Sequence, residues 1–420
     1  MTPPPNPPWA QELHTLHHAS REAATAHAHR TGAALATSRG EAVCRDLPLD
    51  QAPGRVLARD VQAVCAVPHY ASSAMDGYAV NGEGPWRLVG DRAAHETEGS
   101  APLPSAASAG ALEPGTAVVV VTGGVIPEGA TTVVREEYAR SDGELVALAD
   151  DAPRSELAGR HVRPAGTECA EGETILTAGT VLSPAHAAFA AVAGLDALPL
   201  RGAPRVALLL TGSEVLSHGV PGPGRVRDAF SMSLPHVVRG LGGEVGEIRR
   251  APDDAAALET ALRELGAEHD LVVTTGGTSR SRADLVRPLL ERRTRLLVDQ
   301  LDMQPGHPAL LAAAERAAVL ALPGNPLGAV VAMTALGGAF TAGFLGRAPA
   351  AGVPITAGAD ITGGRAERLV PARAEDGGWL PCRSVGSNML RGLSAADGLL
   401  CVPRGGLSAG GTTTALPLPW

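Results

Sequence analysis

Three apolar runs in the second half of the chain each close on a small polar turn. RVALLL (205–210) leads to TGSE, DLVV (270–273) to TTGGTS, and AAVLA (317–321) to LPGNP. Short continuous apolar runs read as strands buried on both faces, and the segments that follow carry helical spacing. Strand and helix patterns alternate over residues 203–346, which predicts a doubly wound α/β domain. In an open parallel sheet, ligands bind beyond the carboxyl ends of the strands. The three turns therefore point at one crevice. Gly276 and Gly277 permit positive φ and close backbone approach, and Thr275, Thr278 and Ser279 add hydroxyls. The spacing of Leu285, Leu289 and Leu290 after Asp284 predicts a helix starting near Ser281, whose amino end would favour phosphate or another oxyanion. Asn325 is expected to cap a helix begun by Pro326, with Gly324 leaving room above it.

The rest of the chain reads differently. Residues 65–155 are rich in Val, Thr and Gly with many turn signals, which predicts a small β domain. Residues 350–420 return to short strands between Gly and Pro, which predicts a terminal β barrel or sandwich. Residues 1–10 are proline-rich and read as a disordered start. Residues 10–35 read as a helix holding five histidines, His14, His17, His18, His27 and His29. His14 and His18 would share a helical face, but no carboxylate or cysteine is spaced to complete a metal site.

Composition narrows the function classes. A chain of 420 residues suggests two to four domains. Hydrophobic content is 45% but aromatics only 3%, so the cores must rely on Ala, Leu and Val. Net charge is −9 with no basic tract, which argues against nonspecific nucleic-acid binding. The apolar runs are interrupted well short of about 18 residues, so no membrane span is expected. The start lacks a basic region followed by an apolar one, so a cytoplasmic protein is expected. Cys44, Cys65, Cys169, Cys382 and Cys401 form no CxxC and read as reduced core thiols. The chain has no lysine; all 35 basic residues are arginine. That excludes a Schiff base, a lysine general base and a lysine phosphate clamp, and arginine substitutes the charge but not the geometry.

At this point a family resemblance becomes specific. VPHYASSAMDGYAV and VTGGVIPEGATTVVREE resemble two signatures of the MoeA/gephyrin family of molybdopterin molybdenumtransferases. GRHVRPAGTECAEGETILTAGTVLSPAHAAFAAVAG resembles its hinge segment. TGSEVL, GRVRDAFSMSL, APDD, TTGGTSRSRAD, QPGHP, LPGNP and VGSNMLRGLSAADGLLCVP follow in family order. The resemblance covers about residues 40–420. It implies an α/β plus β fold, an elongated four-domain chain with a doubly wound molybdopterin-binding domain and β-rich flanking domains. It divides the chain into a discontinuous linker and dimer domain (11–64 and 156–202), an inserted β domain (65–155), the α/β domain (203–346) and a terminal β domain (350–420). It implies insertion of molybdate into adenylylated molybdopterin with release of AMP and use of Mg²⁺. A homodimer is implied, with molybdopterin adenylyltransferase or molybdoenzymes as further partners. Phosphates and a tetrahedral oxyanion suit hydroxyls, helix amino ends and cations, and an AMP-releasing step suits carboxylates for Mg²⁺.

Carried over residue by residue, the resemblance assigns Asp76, Thr122, Glu214, Asp253 and Asp284 to the active site, with Glu214, Asp253 and Asp284 as the metal carboxylates. The glycine-rich turns and the resemblance together assign Thr211, Gly212, Thr275, Gly276, Gly277, Thr278, Ser279, Arg280, Arg282, Pro323, Gly324, Asn325 and Ser387 to cofactor binding. Asp228 matches the acid of a DSN-like segment. Asp253 or Asp254 also has a plain structural reading, as the cap of a helix over 255–265. The departures from the pattern are as informative. Gln300 and Gln304 stand where lysines are expected, His307 replaces the lysine of PGKP, Phe230 replaces an asparagine, and Ser213 replaces an aspartate. Ser281 and Arg282 replace a glycine and an acid. Two readings compete: Arg280 and Arg282, flanking the anion loop, carry the relocated charge of a working enzyme, or the chain is a molybdopterin-binding carrier or regulatory paralogue that has lost metal insertion. A scaffold role is a third, though no long extra domain or linker marks it.

Overall fold

A computed structural model describes residues 6–90, 110–153, 157, 159–279, 281 and 284–420, with the side chains of 41 and 42 left aside. The chain forms two compact units, Met1–Arg45 with Leu200–Trp420, and Asp46–Pro199.

The larger unit opens differently from its sequence pattern. Residues 6–10 are ordered, not loose: Asn6 Nδ2 donates to the Ala10 carbonyl at 2.6 Å, and Trp9 Nε1 to the Ala314 carbonyl at 3.1 Å. The expected helix over 10–35 splits into a strand, β1 (Leu16–Ser20), and a helix, α1 (Arg21–Arg39). Ser20 caps α1 through its side chain, accepting from Ala23 N–H at 3.2 Å. Ahead of that cap, the backbone pairs with a strand nearly three hundred residues away, a contact that helical spacing cannot register. His14, His17 and His18 therefore share no helical face. His27 is fully buried on α1, and burial, with the nearby Arg30 and His14, pushes its pKa down to about 4. Among the described residues no group of three or more metal-ligating side chains gathers.

The elements of its main sheet and the helices around it are β2 (Arg205–Thr211), α2 (Phe230–Gly240), β3 (Glu244–Ala251), α3 (Ala255–Glu268), β4 (Leu271–Thr275), α4 (Val286–Arg293), β5 (Arg295–Gln304), β6 (Leu310–Ala313), β7 (Ala318–Leu322), α5 (Pro326–Ala332), a π turn (Met333–Gly337), α6 (Gly338–Leu345), β8 (Val353–Thr356), β9 (Glu367–Glu375), β10 (Gly378–Pro381), β11 (Gly398–Val402) and β12 (Thr412–Pro417). They build one continuous sheet in the order β3-β2-β4-β7-β6-β5-β9-β11-β12-β8, with β1 on β5 and β10 on β9. β3, β2, β4 and β7 are parallel, as the buried apolar runs predict. Alternate strand residues feed two cores. Val206, Leu208 and Leu210 pack with α1, α2, α5 and α6 on one face. Ala207 and Leu209 pack with α3 and α4 on the other.

Residues 350–420 carry their own apolar cluster, including Ile355, Val370, Leu400 and Ala415. They do not form a detached barrel. β9 joins β5 in parallel register, Met303 opposite Glu367 and Gln304 opposite Arg368. The run Pro326–Leu345 is long and apolar enough to cross a membrane, but 83% of it is buried inside the protein, where it serves as the central core rod.

The smaller unit holds a six-stranded sheet in the order Thr132–Arg135, Gly77–Val80, Thr116–Val120, Trp86–Leu88, Leu145–Leu148, Ala139–Ser141. A helix, Pro184–Val192, follows a capping box between Ser183 and His186. No disulfide joins the five cysteines; Cys169 and Cys401 are buried and the others half-buried. Burial pushes the Cys401 and Cys382 thiols upward, which suits inert core residues.

Candidate functional site

The carboxyl ends of β2, β4 and β7 meet as the sequence pattern requires. Thr211 Oγ1 donates to the Thr275 carbonyl, joining TGSE to TTGGTS. Gly276 N–H donates to the Leu322 carbonyl at 2.9 Å, joining TTGGTS to LPGNP. A Cβ on Gly324 would lie 3.6 Å from Gly276 Cα, so these two turns pass backbone to backbone.

Each turn has a local reason for its shape. Gly276 and Gly277 both hold positive φ, at 79° and 65°. A Cβ on Gly277 would come within 2.9 Å of Val286, so glycine is required there on two counts. Successive left-handed residues of this kind form a backbone concavity that suits an anion. The N–H groups of Gly277 and Thr278 have no partner among the described residues. Gly212 has φ 117°, and a Cβ on it would press on the Glu214 carboxylate at 2.9 Å.

The helix after TTGGTS begins at Val286, not near Ser281. Ser281, Asp284 and Leu285 lie outside the helix, and Asp284 turns back: its carboxylate accepts from Ser279 N–H at 2.7 Å, and its N–H donates to the Ser281 carbonyl at 3.1 Å. The α4 amino end is not an open anion site. Arg287 N–H donates to the Gly277 carbonyl at 2.9 Å, and position 288 is proline. The loop is braced from beneath instead. Arg287, buried, donates through Nε to the Thr278 carbonyl at 3.1 Å and pairs with Asp299 at 2.8 Å. His17 on β1 reaches the same Asp299 at 3.3 Å. Arg280 and Arg282 lie outside the described residues.

Asp253 and Asp254 divide two roles between them. Asp254 caps α3, accepting from Ala257 N–H at 2.8 Å. Asp253 accepts from Ser213 N–H at 2.8 Å, and its own N–H donates to Ser213 Oγ at 3.3 Å. Asp228 is structural: one oxygen accepts from the Phe230 and Ser231 N–H groups at the start of α2, and the other pairs with Arg250. Glu214, Asp253 and Asp284 do not assemble into a ready-made three-carboxylate metal site.

LPGNP also departs from expectation. Asn325 occupies the capping position of α5 with Pro326 next, but its side chain makes no cap bond. The Ser387 carbonyl takes that place, accepting from Leu327 and Gly328 N–H at 3.1 and 3.2 Å. This docks the VGSN loop on the helix end, so the α5 amino terminus offers fewer donors to an anion.

A cavity of about 390 Å³ opens beside that contact, lined among others by Gln304, His307, Pro323, Asn325, Arg368 and Ser387. QPGHP, LPGNP and VGSN thus meet at one place. Arg368 is a site residue that sequence reasoning missed. No motif marks RAERLV; Arg368 arrives by lying opposite Gln304 in the β5–β9 register. Its guanidinium is anchored by the Thr362 carbonyl at 2.7 Å. A cation therefore stands next to a position where the resemblance expects lysine.

In the smaller unit, two predicted residues lie together. Asp76 Oδ1 accepts from Thr122 N–H at 2.6 Å and Thr122 Oγ1 at 3.0 Å, and both residues are exposed. Gly77 follows with φ 149°, where a Cβ would strike the Val134 carbonyl at 2.1 Å.

A doubly wound sheet carrying an anion-type glycine loop at its switch region defines an α/β class of ligand-binding protein. Residues 207–341 match the probable molybdopterin binding domain, and residues 19–194 match the MoeA N-terminal region (domain I and II). The chain is 33% identical to molybdopterin molybdenumtransferase 2 of Mycobacterium tuberculosis, over 69% of this chain and 72% of that protein. It is 31% identical to the Synechococcus elongatus molybdopterin molybdenumtransferase, over 68% of this chain and 72% of that protein. A MoeA molybdopterin biosynthesis protein from Pyrococcus horikoshii has the same fold, with TM-score 0.70 at 21% identity, covering 93% of this chain and 98% of that one. The chain belongs to the MoeA/gephyrin family of molybdopterin molybdenumtransferases, and so to molybdenum cofactor biosynthesis.

Proposed function

We propose that this chain inserts molybdate into adenylylated molybdopterin and releases AMP. The observation that carries the reading is the convergence of QPGHP, LPGNP and VGSN on one cavity with the Arg368 guanidinium, next to the glycine loop. The two reactants need two kinds of recognition. Phosphates are taken by the Gly277 and Thr278 N–H groups and by the hydroxyls of the Thr275–Ser279 loop, which Arg287 braces. The tetrahedral oxyanion is taken by Arg368, Ser387 and Gln304, where a guanidinium supplies charge and a hydroxyl and amide complete the donor set. Asp253 and Asp284 hold the TGSE and TTGGTS turns in shape through their contacts with Ser213 and Ser279. Mg²⁺ commonly binds through one or two carboxylates together with substrate phosphates. Glu214, Asp253 and Asp284 suit single contacts of that sort, and the ion would neutralise phosphate charge. Asp76 and Thr122 are a second polar pair that we assign to the active site, and the functional form is a homodimer.

The carrier reading draws on Gln300 and Gln304, which cannot neutralise phosphate. Arg368 beside Gln304 favours the enzyme. The test is molybdate-dependent AMP release from adenylylated molybdopterin, with Arg368→Gln as the comparison. Wild-type protein is expected to release AMP only when molybdate is present. Arg368→Gln is expected to weaken molybdate dependence about tenfold or more, the cost of one charge-assisted contact. Tight binding of adenylylated molybdopterin without any AMP release would establish the carrier reading instead.

A further inference from the structure

We infer that His307 makes oxyanion capture in this cavity depend on proton uptake. The inference rests on the reading of the cavity as the oxyanion site and adds a regulation of that site. His307 Nδ1 lies within hydrogen-bonding distance of the Leu301 carbonyl. A carbonyl only accepts, so Nδ1 carries the proton and donates it. Nε2 is then the polar ring atom left for the cavity that His307 lines. A neutral ring presents a lone pair there, which repels an oxyanion. A protonated ring presents a cationic donor.

The surroundings make the two events interdependent. The His18 ring from β1 stacks on His307, with centroids 5.9 Å apart and planes at 27°. Arg368 from β9 lines the same cavity. No carboxylate is among the described residues that line it. The nearest carboxylates in sequence and register are engaged elsewhere, Asp302 by Arg404 and Glu367 by Arg21. His307 therefore shares its surroundings with one fixed cation and one further imidazole, and no carboxylate is among the described residues that line the cavity. Like charges disfavour protonation and an opposite charge favours it. By linkage, a dianion that promotes protonation of His307 must bind more tightly as pH falls. Histidine is the side chain type suited to this role, since imidazole changes charge near neutral pH whereas lysine and arginine do not.

The experiment is titration calorimetry of sodium molybdate into the full-length protein, in buffers of different ionisation enthalpy, between about pH 6 and 8. Wild-type protein is expected to take up a proton on binding, and its affinity to fall by up to about tenfold per pH unit. His307→Gln is expected to bind more weakly at the acidic end, with a flat pH profile and no proton uptake. His307→Lys is expected to bind with a flat profile and to keep its affinity at the alkaline end. A flat wild-type profile without uptake overturns the inference, as does a His307→Gln protein with the wild-type pH dependence. Either result leaves the cavity reading standing if Arg368→Gln weakens molybdate binding by a similar factor at every pH. Folded wild-type and His307→Lys proteins that bind no molybdate at any pH overturn both.

Discussion

Neighbouring carboxylates in APDD separate structure from chemistry. Asp254 faces along α3 and satisfies its first turn; Asp253 faces the TGSE turn. Asp254→Ala removes a helix cap and is expected to cost about 1 kcal/mol of stability, a typical cap contribution, with turnover little changed. Asp253→Ala leaves that cap intact and loosens Ser213, so it is expected to lower AMP release with a nearly unchanged melting temperature. Urea unfolding and the release assay on both variants check the pair; the opposite pattern would place the chemistry on Asp254. The sequence allowed either residue to cap. Only the direction each side chain takes, decided by the approach of TGSE across the sheet, separates them.

Loops and helix ends carry most of the site, and glycine content alone does not say which glycines matter. Gly277 combines positive φ with contact to Val286, whereas Gly324 has ordinary space above it at 3.6 Å. Gly277→Ala is expected to destabilise the protein by about 1–3 kcal/mol through strain and crowding and to weaken phosphate binding. Gly324→Ala is expected to fold with near wild-type stability, because its Cβ meets only van der Waals contact. Equal melting temperatures for the two variants would contradict this account of the loop. The strand–turn order was legible because two-sided burial writes itself as continuous apolar residues. The helix starts were less so. α4 begins five residues late because the Asp284 side chain and the Gly277 carbonyl compete for local N–H groups. α5 is closed by a carbonyl from Ser387, sixty residues onward, and not by the adjacent Asn325.

At the scale of the whole molecule, two units keep separate cores. The ends of the smaller unit come together where Leu49 N–H donates to the Asp196 carbonyl at 3.3 Å. Its own sheet closes around Val80, Trp86, Ala117, Val134 and Val146. A fragment spanning 46–199 is therefore expected to fold alone and to unfold cooperatively, observed by circular dichroism and dispersed amide resonances. A fragment with random-coil spectra would show that its core needs the rest of the chain.

Local physics determined what the sequence could state by itself. Apolar runs of buried strands, the glycine pair of the anion loop, the cap before α3 and the ordered family motifs each depend on residues close along the chain. Tertiary structure decided the rest. β1 forms because it pairs with β5, although its sequence reads as helix. Arg368 becomes a neighbour of Gln304 because β9 meets β5 in that register. Those outcomes rest on hydrogen bonding and burial between segments far apart in the chain. A one-residue change of register would move different side chains to the cavity while leaving the local hydrophobic pattern untouched.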